Sequence, residues 1–353
     1  QAGGAPIAMV SMDNCARNGE KLRAGVLSMA RDWAERGLVE SAFLDWLEDE
    51  GRVSFPWSMI DKITPHPSER VQEELGRLGV ADMAIARTNT GTLIAPFVNA
   101  EITEYLVLED AFPNGRPALE GAGVYLTDRT TVEKAEKMKV GTCLNPLHTA
   151  LAVYGCLLGY TSIAAEMGDA DLKALVEHIA AESLPVVEDP GILSPRAFID
   201  EVLHERFPNP AIPDTPQRIA ADTSQKLPVR YGGTLRRYAR QSEQALAGLE
   251  FAPLVFAGWC RYLLGVDDRG NAMPVSPDPM LPQLQAHLKG IEVGRPDSLA
   301  GQLRPILSNA ALFGVDLYAA GLGERTEEMF RDMLAGPGAV RATLHRNCAC
   351  KQP

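Results

Sequence analysis

The chain has 353 residues, 46% of them hydrophobic and 23% charged, which is typical of a globular protein that buries a sizeable core. The formal net charge of -12 argues against nucleic acid as a partner, because phosphate binding needs a basic surface. The apolar runs are too short or too interrupted to span a bilayer, and the first residues show no secretory signal. Six cysteines in so long a chain do not form a disulfide framework, so we expect a cytoplasmic protein with more than one domain.

The chain begins with the pattern of an α/β domain. The apolar run Pro6–Val10 predicts a buried parallel strand with Asp13 and Asn14 at its carboxyl end, where ligands bind in open α/β sheets. Asn14 has an alternative interpretation as a helix cap, a common use of asparagine after a strand. Further apolar patterns predict helices over 19–36 and 43–47 and strands over 93–98, 104–108 and 123–126.

The second half of the chain has an almost entirely helical pattern, with proline and glycine between the segments. Helices are predicted over 147–166, 170–182, 195–206, 234–249, 251–265, 280–289 and 298–313. Residues 130–137 are the predicted link between the two halves. The predicted fold is therefore an α/β domain over residues 1–130, followed by a mostly α-helical domain over residues 131–353.

Three polar side chains immediately precede the apolar run 150–160. They are the amine of Lys139, the carboxamide of Asn145 and the imidazole of His148. A polar cluster at the mouth of a buried helix has few partners for its charge, and the pKa of a lysine falls readily on burial. Such a lysine exchanges a proton near neutral pH. The alternative interpretation is structural: the lysine is solvated, and Asn145 caps the helix with Pro146 at its first position.

Five stretches carry polar and aromatic residues in a distinctive order: Ser11–Asn14 with Asn18 and Gly19, Phe55–Pro65, Glu104–Pro117, Glu136–Thr149 and Phe207–Pro228. Together they resemble the polyol-specific long-chain dehydrogenases, the mannitol dehydrogenase family, which contains fructuronate (mannonate) and tagaturonate reductases. The resemblance covers about residues 8 to 230. It implies an enzyme that moves a hydride between NAD(H) and the carbon of a small open-chain sugar acid or polyol. NADP is an alternative cofactor, and no metal is implied.

The segment Cys-Leu-Asn-Pro-Leu-His-Thr resembles the corresponding segment in a sugar-acid branch of the family. The expected reaction therefore interconverts D-fructuronate and D-mannonate. Mannitol with fructose, and tagaturonate with altronate, are the alternatives within this class. The family has Asn-Gly-Ser-His where this chain has Asn-Pro-Leu-His, and this chain carries one extra residue between Lys139 and Asn145. These departures leave Lys137 as a second candidate for the catalytic lysine. Lys139 is preferred because it follows Met138 and precedes Val140, as the family lysine commonly does.

The resemblance also implies roles for the residues of the reacting centre. Lys139 would exchange the proton of the substrate oxygen, and Asn14 and Asn145 would stabilise the developing oxyanion. His148 would donate a hydrogen bond to the substrate near that oxygen. Glu136 lies one helical turn before Lys139 and would gate proton exchange with solvent, or else form an exposed pair of little worth.

Four further residues are the expected contacts to the rest of the substrate: Asp61, Lys62, Arg218 and Lys226. Asp61 would hold substrate hydroxyls, with a turn residue as the alternative. Arg218 would grip a carboxylate in bidentate fashion, eight residues before Lys226. Both cations have the alternative interpretation of surface side chains.

The glycine pattern of a dinucleotide-binding turn is missing from the sequence. Gly121-Ala-Gly123 lacks the third glycine and precedes a strand. In the family this turn precedes the Asp-Asn block by well over one hundred residues. We therefore expect residues 1–130 to be the C-terminal part of a Rossmann-like domain, with Asp13 and Asn14 left to meet the cofactor. The alternative is a cofactor-deficient remnant that binds a sugar acid without catalysis.

The cysteines and the C-terminal segment predict no metal site. Cys348 and Cys350 are separated by one residue, which differs from the Cys-x2-Cys spacing of zinc sites, and a flexible tail is the expected structure. Cys15, Cys143, Cys156 and Cys260 have the surroundings of small buried apolar residues.

Overall fold

Two units organise the chain, each with its own packed elements. The computed structural model describes residues 3–348. The first unit runs up to Glu136 and takes in Pro190–Ile192, and the second comprises Lys137–Asp189 and the chain from Leu193 onward.

The strands of the first unit are short and belong to three separate sheets. They are β1 (Ile7–Ala8), β2 (Val53–Ser54), β3 (Ser58–Asp61), β4 (Ala86–Arg87), β5 (Leu93–Ile94), β6 (Tyr105–Glu109) and β7 (Tyr125–Thr127). β1 and β2 pair in parallel, β4 and β5 pair antiparallel, and β6 lies between antiparallel β3 and parallel β7. The predicted strand at Pro6–Val10 is thus parallel but only two residues long, and Ile7 is 44% exposed, so the prediction that it is buried is wrong.

Four helices accompany these strands: α1 (Asn18–Glu35), α2 (Ser41–Glu48), α3 (Glu69–Arg77) and α4 (Arg129–Met138). The predicted link at 130–137 is therefore helical. α1 and α2 bury one apolar stripe each, through Leu27, Ala30 and Leu47, against Val53 and Phe55. The burial of each large side chain of this cluster contributes about 1.5–3 kcal/mol to the free energy of folding. This packing fixes the chain segments on either side of β1 and β2.

The second unit is built from helices, as the sequence predicts. They are α5 (Asn145–Leu158), α6 (Ile163–Glu166), α7 (Ala170–Ser183), α8 (Pro195–Glu201), α9 (Pro216–Ala220), α10 (Thr223–Arg230), α11 (Gly232–Gln241), α12 (Glu243–Ala247), α13 (Phe251–Tyr262), α14 (Leu281–His287), α15 (Arg304–Leu307), α16 (Ala310–Phe313), α17 (Gly323–Met333) and α18 (Ala339–Cys348). Lys139–Cys143 and Val202–Arg206 are π-helical. Leu119–Ala122 in the first unit, and Leu184–Val186 and Pro296–Ser298 in the second, are 3₁₀ turns.

α5 and α13 form the centre of the second unit, because both are apolar on nearly every face. Tyr154 of α5 is fully buried and donates a hydrogen bond to the carbonyl of Leu254 in α13 at 2.8 Å. Gly258 allows this approach, since a Cβ there would lie 2.7 Å from the Tyr154 ring. α5 is thereby held rigidly, and its first turn carries Asn145 and His148, two of the predicted catalytic residues. No helix in residues 3–348 combines the length and apolarity needed to cross a membrane.

Some predicted helices are divided in the structure. The stretch 147–166 ends its first helix at Leu158, because Gly159 takes the left-handed conformation (φ 82°) that closes helices. The stretch 234–249 breaks at Ser242, whose side chain caps α12. The stretch 298–313 contains only the short helices α15 and α16, the second of which Asn309 caps. In each case a residue suited to a cap or turn overrides the apolar periodicity.

Candidate functional site

The segment before α5 buries one of the two candidate lysines. Lys139 opens the π-helical turn and is 4% exposed. Its carbonyl accepts a hydrogen bond from the amide of Leu144, five residues on, at 3.1 Å. A π turn holds one residue more than an α turn, so it can accommodate the extra residue that the sequence comparison predicts before Asn145. The side chain of Lys137 is 45% exposed, with its Nζ 3.7 Å from Glu188, so burial favours Lys139.

Asn145 is the first residue of α5, and Leu144 precedes it without a side-chain cap. The alternative interpretation of Asn145 as the cap is therefore wrong, although Pro146 does lie in the first turn. The carbonyl of Asn145 accepts a hydrogen bond from the hydroxyl of Thr149 at 2.9 Å. The start of α5 is thus stabilised by its backbone and by Thr149, and the carboxamide of Asn145 is not needed for capping.

His148 lies in the first turn of α5 and is mostly buried. Its Nε2 is 3.4 Å from Oδ2 of Asp214, close enough for electrostatic attraction but without hydrogen-bond geometry. Its ring packs 5.2 Å from the ring of Phe207. Burial lowers the pKa of His148, Asp214 opposes that shift, and the cations Arg230 and Arg218 add to it. The imidazole is therefore neutral at pH 7, and a neutral imidazole can both donate and accept a hydrogen bond.

Asp214 joins His148 to Arg218. Burial pushes the pKa of Asp214 upward, but its interactions with His148 and Arg218 outweigh burial and hold the pKa below its usual range. The guanidinium of Arg218 forms a close ion pair with Oδ1 of Asp214, and its side chain is 63% exposed. Arg218 is thus engaged by the protein's own carboxylate. Its predicted role as the bidentate grip on a substrate carboxylate would require that pair to break.

Lys226 and Arg230 lie one turn apart on α10. The amine of Lys226 donates to the carbonyls of Ile219 and Ala221, and burial, followed by the charge of Arg230, lowers its pKa. Nη1 of Arg230 donates to the hydroxyl of Thr149 at 2.6 Å. α10 is therefore tied to the first turns of α5, the helix that carries Asn145 and His148.

The predicted site residues of the first unit include Asp13 and Asn14, which are both exposed just after β1. Asn14 does not cap α1: Arg17 precedes that helix in a left-handed conformation (φ 53°), so the cap alternative is wrong. The side chain of Asn18 instead fixes this loop, donating to the carbonyl of Asp13 at 2.9 Å and to the hydroxyl of Ser58 at 2.8 Å.

The remaining predicted residues of the first unit have different surroundings. Asp61 is the last residue of β3, opposite Tyr105, and is 5% exposed, so its alternative interpretation as a turn residue is wrong. Lys62 is paired with Glu104 at 2.7 Å and behaves as a surface cation. Glu136 lies in the last turn of α4 and is partly buried.

The C-terminal segment forms a helix as far as it is described. α18 runs through Cys348, which is buried, so a flexible tail is the wrong prediction for residues 345–348. Cys350 lies outside the described residues. Cys143, Cys156 and Cys260 are buried as predicted, while Cys15 is only partly so. Within residues 3–348, no group of three or more His, Cys, Asp or Glu side chains is arranged to hold a metal ion.

The sequence patterns assign no role to Asp214, Thr149 or Arg230. Helical spacing could have indicated two of them, because Thr149 follows Asn145 by four residues and Arg230 follows Lys226 by four. Asp214 opens the Asp-Thr-Pro stretch, where Thr215 caps α9. Its approach to His148 depends on the packing of α9 against α5, which no local pattern encodes.

Comparison with known proteins places this geometry in a family. Residues 131–325 match the model of the mannitol dehydrogenase C-terminal domain. The D-mannonate oxidoreductase of Thermotoga maritima is 56% identical over 346 residues, which are 98% of this chain and 64% of that protein. A mannitol 2-dehydrogenase of Aspergillus fumigatus is 33% identical over 328 residues, 90% of this chain and 57% of that protein. This chain therefore spans less than two thirds of the length of these relatives.

Two solved structures share the fold. The Pseudomonas fluorescens mannitol 2-dehydrogenase, in a ternary complex with NAD and D-mannitol, is 29% identical with a TM-score of 0.69. It covers 98% of this chain, which in turn covers 63% of that structure. A D-sorbitol dehydrogenase in substrate-free form is 25% identical with a TM-score of 0.77, with coverages of 97% and 63%.

Proposed function

The chain belongs to the mannitol dehydrogenase family, and on that premise we propose that it acts as an NAD-dependent oxidoreductase on a small open-chain sugar acid, interconverting D-fructuronate and D-mannonate. The resemblance of its five sequence blocks to this family is confirmed by the family match and by the 56% identical relative. The activity and the substrate are proposals for the whole protein, because this chain spans 64% of that relative.

The burial of Lys139 at the head of α5 is the observation that carries the proposal. A surface lysine would be an ammonium at neutral pH with no tendency to release its proton. Lys139 is 4% exposed, so it is shielded from bulk water and suited to direct proton exchange with a bound substrate. During reduction, the Lys139 N–H bond breaks as the substrate oxygen gains its proton. During oxidation, the free amine accepts that proton from the hydroxyl.

We propose further residues as the groups that hold the oxygen and the chain of the substrate. We assign to the carboxamides of Asn145 and Asn14 the role of neutral hydrogen-bond donors that stabilise the developing oxyanion. We assign to His148, a neutral imidazole with its Nε2 3.4 Å from Asp214, one further hydrogen bond to the substrate. Glu136 is retained as the group through which Lys139 exchanges protons with solvent.

We propose that Asp61, Lys226 and Arg218 contact the rest of the substrate. Asp61 is the most buried of the three. Lys62 is the weakest of the predicted set, because its charge is already paired with Glu104.

NAD(H), when bound, supplies or takes up the hydride. Of the groups that hold a dinucleotide, the described residues offer Asp13 and Asn14, exposed after one strand of the parallel pair β1 and β2. The resemblance implies that they meet the cofactor, whereas the glycine pattern of a pyrophosphate-binding turn is missing from the 353 residues. As the family resemblance implies, we propose residues 1–130 as part of a Rossmann-like domain and residues 131–353 as the substrate domain.

A sugar acid is favoured over a polyol by the relative named for mannonate, which is 56% identical, against 33% for a mannitol 2-dehydrogenase. It is also favoured by the cations that surround His148, since Arg218 and Arg230 both act on its pKa. Mannitol with fructose is the second candidate, supported by the likeness to the structure that holds NAD and D-mannitol.

The test follows NADH absorbance in the complete protein that carries this sequence, with D-fructuronate, D-tagaturonate and D-fructose in turn, and repeats each with NADPH. We expect the highest kcat/KM with D-fructuronate and NADH. Inactivity with all three substrates would refute the proposal. Calorimetry with NADH separates that outcome from a cofactor-deficient remnant, which would give no heat at millimolar cofactor.

A further inference from the structure

No carboxylate within residues 3–348 forms an ion pair with the mostly buried guanidinium of Arg230. Its side chain is mostly buried at the end of α10, and burial lowers its pKa to about 10. Within residues 3–348 its hydrogen-bond partner is the hydroxyl of Thr149, which takes one of its five N–H donors. Buried arginines are almost always paired, because an isolated cation away from water is costly.

Two arginines of the first unit give a contrast. Arg17 donates to Glu133 at 2.7 Å, and Arg129 donates to Glu109 at 3.0 Å. In the second unit, Arg341 is held by Asp169 and Asp171. These partly exposed arginines each have a carboxylate partner, whereas the more buried Arg230 has none within residues 3–348.

The charges around Arg230 are also positive. Lys226 lies one turn before Arg230 on the same helix. The positive charge of Arg230 contributes to the lowered pKa of Lys226, because two nearby cations repel each other. Lys226 is partly compensated by Asp222 and Asp278, but neither of these acts on Arg230. Asp214, the carboxylate beside His148, is engaged by Arg218. An anion placed beside Arg230 would therefore complete an otherwise unbalanced set of charges.

The position of Arg230 connects it to the proposed reaction. Its guanidinium bonds Thr149, the residue after His148, and Thr149 bonds the carbonyl of Asn145. The guanidinium is thus anchored to the turn of α5 that presents both proposed substrate-binding groups. Its other N–H groups make no hydrogen bond to residues of the described chain, and they form the planar fork that matches a carboxylate.

We infer that Arg230 binds the carboxylate of the open-chain sugar acid and so sets the preference for an acid over a neutral polyol. The inference rests on the proposed function and names the residue that selects its substrate class. It assigns to Arg230 the grip on the carboxylate that the sequence predicts for Arg218, whose side chain is 63% exposed and already paired with Asp214. An ion pair in that exposed position is screened by water and contributes little, whereas the Arg230 guanidinium is desolvated.

The test is equilibrium binding, measured by calorimetry on the complete protein with NAD present, using D-mannonate and D-mannitol as the probes. The variants are Arg230→Gln, which keeps a polar side chain, Arg230→Lys, which keeps the charge without the fork, and Arg240→Gln, an exposed arginine on α11, as the matched control. We expect Arg230→Gln to weaken D-mannonate binding by roughly 10- to 100-fold, the usual worth of a hydrogen bond to a charged group, and to leave D-mannitol nearly unchanged. Arg230→Lys should fall between, and Arg240→Gln should match the parent.

Three results would overturn the inference: a parent protein that binds D-mannonate no better than D-mannitol, a preference that survives in Arg230→Gln, or equal losses for both probes. Equal losses together with a lowered Tm would show that Arg230 only packs α10 onto α5. A parent that binds D-mannonate selectively but never oxidises it would refute the proposed function and leave the role of Arg230 supported.

Discussion

Glu166 gives the sharpest test of the packing behind α5. Its side chain is fully buried at the end of α6, and neither carboxyl oxygen has a hydrogen-bond partner in the described chain. Burial, with a smaller contribution from the charge of Asp169, raises its pKa from 4.5 to about 9. At neutral pH the folded protein therefore holds a proton on Glu166 that the unfolded chain releases.

The consequence is a dependence of stability on pH. Because the folded-state pKa lies above the unfolded one, the stabilisation is complete below about pH 4.5 and is lost progressively as the pH rises to about 9. In that window the free energy of unfolding falls by about 1.4 kcal/mol per pH unit, or roughly 3 kcal/mol between pH 4.5 and pH 7. Glu166→Gln cannot ionise, so it removes this component of the slope while keeping the size and polarity of the side chain.

Urea denaturation of the parent and of Glu166→Gln at pH 5, 6, 7 and 8 measures the difference. The two free energies of unfolding should converge at the acid end, and the variant should become the more stable by several kcal/mol toward pH 8. Glu69→Gln, on the exposed start of α3, is the control and should follow the parent. Parallel profiles for parent and Glu166→Gln would refute the assignment of a neutral buried carboxyl.

Two other perturbations test the same helix. Gly155→Ala places a methyl 2.0 Å from Oε1 of Glu166, so we expect a loss of about 1–3 kcal/mol by urea denaturation; an unchanged midpoint would mean that Glu166 moves aside freely. Asp214→Asn removes the group that raises the pKa of His148, leaving burial and the nearby cations to lower it. The NMR titration of His148 should shift to lower pH in that variant, and a shift to higher pH would contradict the electrostatic account.

Helix positions were largely readable from the sequence where apolar spacing and capping residues agree. α1 was predicted as 19–36 and α7 as 170–182, each within one residue at both ends of the observed helix. The prediction of one continuous helix over 298–313 is wrong, because the apolar residues of this stretch contact the core from turns as well as from helices. Parallel pairing of the first strand was predicted, but the three separate sheets were not, since strand partners depend on contacts distant in sequence.

The site was predictable in its residue types and less so in its partners. A lysine before a buried helix suggested desolvation, and Lys139 is buried while Lys137 is exposed. The sequence predicts that Arg218 is available for a substrate carboxylate. In the structure Arg218 instead donates to the carboxylate of Asp214, four residues earlier in the chain. Sequence spacing gives the order of charges along a helix, but which of them neutralise each other depends on three-dimensional packing.

The central claim is that Lys139 transfers the proton, and its removal is the most direct measurement. We expect Lys139→Ala to lower kcat for D-mannonate oxidation by a factor of about 100 or more, with partial recovery on adding a small primary amine, and Lys137→Ala to retain turnover close to that of the parent. Near-normal turnover in Lys139→Ala, or a loss confined to Lys137→Ala, would contradict the account.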